Sequence, residues 1–241
     1  MGKIGTIFRR ELAAYFTSPI AYLVACAVLL LCGVFFYGDL AARNNRATTD
    51  GSVILSAFAT FTLFFAPLIT MRLVAEENKE GTIELLMTLP VSDSAIIVGK
   101  FLGAWAYYTA ILALTLVYQV IMVLVSSPDL GVSIGAFIGV WLYGGAALAV
   151  GIFFSALTEN QIVAGFLSLT ALITLWLADN AGALVSNRVI ATTVRVFSFQ
   201  THYLYSFSVG LMRLDDIVFF LGVIALMLFA TVRYVESRRW R

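Results

Sequence analysis

The chain has 241 residues, of which 61% are hydrophobic and only 12% charged, with a formal net charge of +1. An ordinary soluble domain carries roughly 25% charged residues, and a soluble chain this apolar could not cover its own surface. Without a clustered excess of Lys and Arg there is no reason to expect nucleic acid as a partner. The composition points instead to an all-α integral membrane protein with a single transmembrane domain.

At the start, Ile4, Ile7, Phe8, Leu12 and Tyr15 recur at helical spacing, with Lys3, Arg9, Arg10 and Glu11 largely on the other side. This pattern predicts an amphipathic helix over residues 3–18 lying in the cytoplasmic interface. The first apolar run begins late and lacks a small-x-small cleavage site, so the opening is not read as a signal peptide. Pro19 marks the break before the chain enters the bilayer.

Uncharged stretches then predict six spans, at about residues 20–38, 51–71, 101–126, 132–158, 160–178 and 217–234. An even number places both termini on one side. With the termini inside, the cytoplasmic ends carry twice as many Lys and Arg as the outer ones, where only Arg43, Arg46, Arg188, Arg195 and Arg213 fall. That bias sets both termini in the cytoplasm. Tight turns are expected at Ser127-Pro128-Asp129-Leu130-Gly131 and at Thr158-Glu159-Asn160.

Two features stand out in the later spans. Gly131, Gly135 and Gly139 form a small-residue stripe suited to close helix packing. Between Asp179 and Asp216 lies a segment too apolar for a free loop, with Phe197, Phe199, His202, Tyr203, Tyr205 and Phe207 crowding its second half. It is expected to form one or two short helices that dip into the outer leaflet and return, offering a surface to a periplasmic partner. The hydroxyls of spans two and five are expected to bond their own backbone, and no ionisable residue lies deep in a span, which counts against an ion pump. His202, the single histidine, has no neighbours that would make a metal site or a catalytic base, so no catalytic or metal residue is assigned.

The most informative stretch is the loop of residues 74–98 between spans two and three. Gly81 should interrupt the helix leaving the membrane, Thr82 can cap a new one, and Pro90 ends it. The result is a helix of about two turns along the membrane surface, with Ile83, Leu86, Met87 and Pro90 on its apolar side and Glu80 and Glu84 beside it. Ser92 and Asp93 cap the next helix, which runs through Lys100 into span three. A helix this short is marginal alone. Its partner is either the membrane interface and the chain's own helices or a groove on a soluble subunit, and the physics leaves these two equal.

The run Arg72-x-x-x-Glu76-Glu77-x-x-Glu80-Gly81-Thr82-Ile83-Glu84-Leu85-Leu86-x-x-Leu89-Pro90-Val91-Ser92, followed by Gly99-Lys100, resembles the hallmark cytoplasmic loop of type 2 ABC (ABC-2) exporter permeases. The opening Arg9-Arg10-Glu11 with Tyr15-Phe16-Thr17-Ser18-Pro19 is similar to the same superfamily, nearest to permeases associated with bacterial gliding motility. The resemblance implies a non-catalytic permease of the bacterial inner membrane, a homodimer working with two copies of a separate ABC ATPase that binds the ATP and Mg; this chain binds no cofactor itself. Membrane lipid and a periplasmic protein are further partners. Residues 76–90 would carry the coupling helix, with Ile83, Leu86 and Met87 as its docking surface and Glu76, Glu77, Glu80 and Glu84 pairing with ATPase basic residues or steadying the loop. The chain lacks a phosphate loop of its own, since Gly2-Lys3 and Gly99-Lys100 are followed by Ile and Phe. Three functions follow in order: export of an amphiphilic or polymeric substrate, mechanical transmission to a periplasmic partner without transport, and an intramembrane enzyme.

Overall fold

The computed structural model describes residues 3–42, 52–81, 92–125, 128–185 and 187–238, and every regular element among them is helical. Helix α1, Lys3–Thr17, is followed after a single residue by α2, Pro19–Ala42, so Pro19 opens a helix where its missing N–H costs nothing. Next come α3, Val53–Thr70, and the short α4, Ala75–Glu80, which ends on Gly81 in the left-handed region at φ 68°. Helix α5, Asp93–Leu114, and α6, Leu116–Val125, form one apolar run broken at Thr115. Helices α7, Leu130–Leu157, and α8, Gln161–Leu184, lead to α9, Arg188–Val196, α10, Phe199–Leu204, a 3₁₀ turn at Phe207–Val209, and finally α11, Leu214–Arg238.

Six runs are long and apolar enough to cross a membrane, headed by α2, α3, α5, α7, α8 and α11. The chain is therefore an all-α integral membrane protein. Several boundaries differ from the sequence reading. The helix of the third run starts at Asp93, eight residues before the uncharged stretch, as the Ser92 cap leads one to expect, with Ser92 accepting from the Ala95 N–H at 3.4 Å. Helix α8 continues past Ala178 to Leu184, since Asp179, which looked like a span end, faces the folded-back α9.

Helix α7 is the axis of the bundle and meets α3, α5, α8 and α11. Its small residues explain why. Gly144 lies against the Tyr108 ring and Gly151 against the Thr70 side chain, approaches that leave no room for a Cβ. Tyr108 is fully buried and donates to the Val140 carbonyl at 3.0 Å. Along the spans, Thr60, Thr62, Thr70, Ser168, Thr170 and Thr174 all donate to carbonyls one turn back.

The stripe of small residues is used differently from the expectation. Gly135 and Gly139 do not receive a neighbouring span; they receive the 3₁₀ turn, with Gly135 against Gly210 and Gly139 against the Phe207 side chain. Gly131 lies outside the stripe, because it is exposed and gives its N–H to the capping Asp129 carboxylate at 2.8 Å.

Candidate functional site

The end of the bundle that carries α1 is built around a buried ammonium. Helix α1 lies along the head of α5, where Gly99 admits Ile7 and Gly103 admits the Glu11 Cβ. That close seat brings Glu11 over Lys100, whose side chain is only 3% exposed. Lys100 Nζ donates to Glu11 Oε1 at 3.1 Å and to Glu77 Oε1 at 2.8 Å. Arg10 Nη2 reaches the same two carboxylates at 2.8 and 3.3 Å from the solvent side. Its hydrogen bond to Glu11, against partial desolvation, and the nearby charges raise an already high guanidinium pKa. One cluster thus ties α1, α4 and α5, which come from three separate parts of the chain.

Burying an ammonium is costly unless its protons are satisfied by acceptors of opposite charge, and two carboxylates here meet that need. Aromatic contacts extend the same joint into the membrane. Tyr15 of α1 stacks on Tyr107 of α5 with centroids 4.7 Å apart, and donates to the Ile69 carbonyl of α3 at 2.9 Å.

Helix α4 has a second anchor. Ser155, near the end of α7, accepts from the Val74 and Ala75 N–H groups at 3.2 and 3.1 Å and lies 3.2 Å from the Met71 carbonyl as donor. These are N–H groups that a helix start leaves without intrahelical partners. Asn78 adds a bond to the Ala156 carbonyl at 3.4 Å.

The structure distributes the expected site residues as follows. Of the loop, Glu76, Glu77, Glu80 and Gly81 are described; Thr82, Ile83, Glu84, Leu86, Met87 and Pro90 lie outside the described residues. Glu77 turns inward to Lys100 and, with Glu76 and Glu80, lines an open cavity. On α1, Ile4, Arg9 and Arg10 are exposed and Ile7, Phe8 and Leu12 half-buried. The assignment of Glu11 to the polar side is corrected. It lies four residues after Ile7 and four before Tyr15, on the very stripe that packs on α5, which is why it meets Lys100. Ser155 carries no sequence signal of its role.

The opposite end is closed by rings. Phe199, Tyr203 and Phe207 are fully buried and surround Tyr143 of α7 and Phe220 of α11, with Tyr143 to Phe199 centroids at 5.6 Å. Of the residues expected to offer a surface there, Phe197 and Tyr205 are exposed, whereas Phe199 and Tyr203 are buried. His202 is held structurally: it stacks on Phe219 at 3.8 Å, with Nδ1 2.6 Å from Asp216 Oδ1 and Nε2 2.9 Å from the Val196 carbonyl oxygen. Helix α9 folds back on α8, where Gly182 lies under Arg195 and Arg195 Nε stands 3.6 Å from Asp179.

Six helical runs long enough to cross a membrane, with a charged joint at one end, define a multi-pass membrane protein. The family model described as ABC-2 family transporter protein matches residues 39–232, most of the chain, and the chain belongs to that family. A search of curated proteins finds no match. Membership makes the chain a membrane permease component of an ABC transporter that works with an ABC ATPase subunit.

Proposed function

We propose that the chain is the permease of an ATP-driven exporter in the bacterial inner membrane, assembled as a homodimer over two ATPase subunits, with both termini in the cytoplasm and an amphiphilic or polymeric substrate. The observation that carries this reading is the cluster of Glu11, Glu77 and Lys100. Glu77 stands just before the segment 82–91 and Lys100 just after it, so both stems of that segment are tied to each other and to α1. A partner that grips the segment pulls on spans two and three and on α1 together. Ile83, Leu86 and Met87 supply the apolar grip, while Glu84 orients the partner, as rim charges do, and Glu77 steadies the loop through Lys100. Within the family, the Arg9-Arg10-Glu11 opening and the Ser18-Pro19 break support a place beside the gliding-motility permeases.

Closure of the ATPase pair then displaces the gripped segment. The shift passes through Glu77 to Lys100 at the head of α5, and Glu11 carries α1 with it. Spans two and three rearrange around the α7 axis, to which α4 is pinned by Ser155.

The test is co-purification. Replacing Leu86 and Met87 by Asp should release the ATPase while the permease remains inserted and monodisperse. Undiminished co-purification of the ATPase with this variant would overturn the docking role.

A further inference from the structure

A cavity of about 760 Å³ opens between α1, the start of α2, the end of α3 and α4, beside the ion cluster but not filled by it. Its size falls in the range of small-molecule sites, about 300–1,000 Å³. Its lining is ordered along one line. Leu68, Arg72, Glu76 and Glu80 all face it, each four residues after the last. The Glu76 N–H still bonds the Arg72 carbonyl at 3.3 Å, so the spacing remains close to helical across the turn between α3 and α4. Successive positions therefore lie about 6 Å apart along the axis.

Along this line the order is apolar, then cationic, then anionic toward α4; Arg10, Glu11, Glu77 and Lys100 line the cavity as well but are paired with one another. Ile20 and Val24 of α2 widen the apolar end, and Ile20 and Leu68 are themselves exposed. Among the described residues Arg72 makes no ion pair, and its Nε is buried without a hydrogen-bond partner. Arg72 thus lines the cavity with no counter-charge among the described residues. Arginine is suited to phosphate, which accepts two parallel hydrogen bonds from its fork. Glu76 and Glu80 likewise form no ion pair among the described residues, and one turn apart they make a seat for an ammonium.

We infer that this cavity binds an aminophospholipid from the leaflet on the side of the chain ends, with an acyl chain along Ile20, Val24 and Leu68, the phosphate on Arg72 and the ammonium between Glu76 and Glu80. In such a lipid, chain, phosphate and ammonium follow one another in the same order as the lining. Charge complementarity selects it over an anionic lipid, whose headgroup would meet Glu76 and Glu80, and over a soluble phosphate ester, which would leave the apolar wall uncovered. The inference is independent of whether the chain exports anything, since it concerns binding alone.

The chain purified in mild detergent is equilibrated with mixed micelles holding equal amounts of phosphatidylethanolamine, phosphatidylglycerol and phosphatidylcholine, and retained lipid is read by native mass spectrometry. One phosphatidylethanolamine per chain is expected to predominate. Arg72→Gln should lower its retention about tenfold, the scale of a charge-assisted hydrogen bond. The double variant Glu76→Gln/Glu80→Gln, checked as folded, should keep a bound phospholipid but lose the preference for ethanolamine over glycerol headgroups. Unchanged retention in a folded Arg72→Gln protein, or an unchanged headgroup preference in the double variant, would overturn the assignment. Glycerophosphoethanolamine without acyl chains should fail to displace the lipid; displacement would overturn the lipid in favour of a soluble phosphate ester.

Discussion

At the end carrying α1, three distant segments meet on one buried ammonium, whereas at the other end a folded-back segment is seated by a cluster of aromatic rings. The ionic joint is directional and incomplete: Lys100 satisfies Glu11 and Glu77, yet a cavity with an unbonded arginine lies beside it. The aromatic end is filled, with Phe199, Tyr203 and Phe207 packed against Tyr143 and Phe220. Packed rings interact without a single critical partner and resist displacement. A discrete ionic joint ties distant segments to one another, so a pull on one is passed to the others. The contrast suits a molecule that is moved at one end and held at the other.

Breaking each end should expose the difference. Lys100→Met leaves Glu11 and Glu77 only the solvent-side Arg10 as cation, and should cost about 3 kcal/mol in reversible unfolding from mixed micelles, the low end for breaking a buried pair. Making the site wholly apolar by adding Glu11→Met and Glu77→Leu should recover most of that loss, because the penalty comes from the orphaned charges. At the aromatic end Phe207→Ala should cost about 3 kcal/mol or more through the cavity left over Gly139, and here only restored volume should rescue. A smaller effect is expected from Ser155→Ala, about 1 kcal/mol, seen as faster amide exchange at Val74 and Ala75 while the aromatic end remains unchanged.

The spans were legible because a bilayer demands long uncharged runs, and the cap at Ser92 and the turns at Asp129 and Asn160 because turn chemistry is local. The aromatic density around residues 197–207 likewise announced a segment that returns toward the bundle. The ionic joint was not legible as a joint. Lys100 at a span head reads as an interfacial anchor, and its neutralising partners are far away in sequence at Glu11 and Glu77. A clue was present in the register of α1, where a carboxylate interrupts the stripe running from Ile7 to Tyr15. The cavity was hidden for another reason, since Arg72, Glu76 and Glu80 read as one charged loop until the α2 wall brings Ile20 and Val24 to the same space.

That α1 and α4 travel as one body is tested most directly by electron-spin distance measurement in the assembled transporter. Labels at the exposed Ala13 and Lys79 would report on the joint, and a second pair at Ala13 and Tyr205 on the bundle as a whole. When a hydrolysis-resistant ATP analogue closes the ATPase, the Ala13 to Lys79 distance should remain unchanged while the Ala13 to Tyr205 distance shifts. A change between Ala13 and Lys79, with Ala13 to Tyr205 constant, would mean that the ion cluster opens and does not transmit.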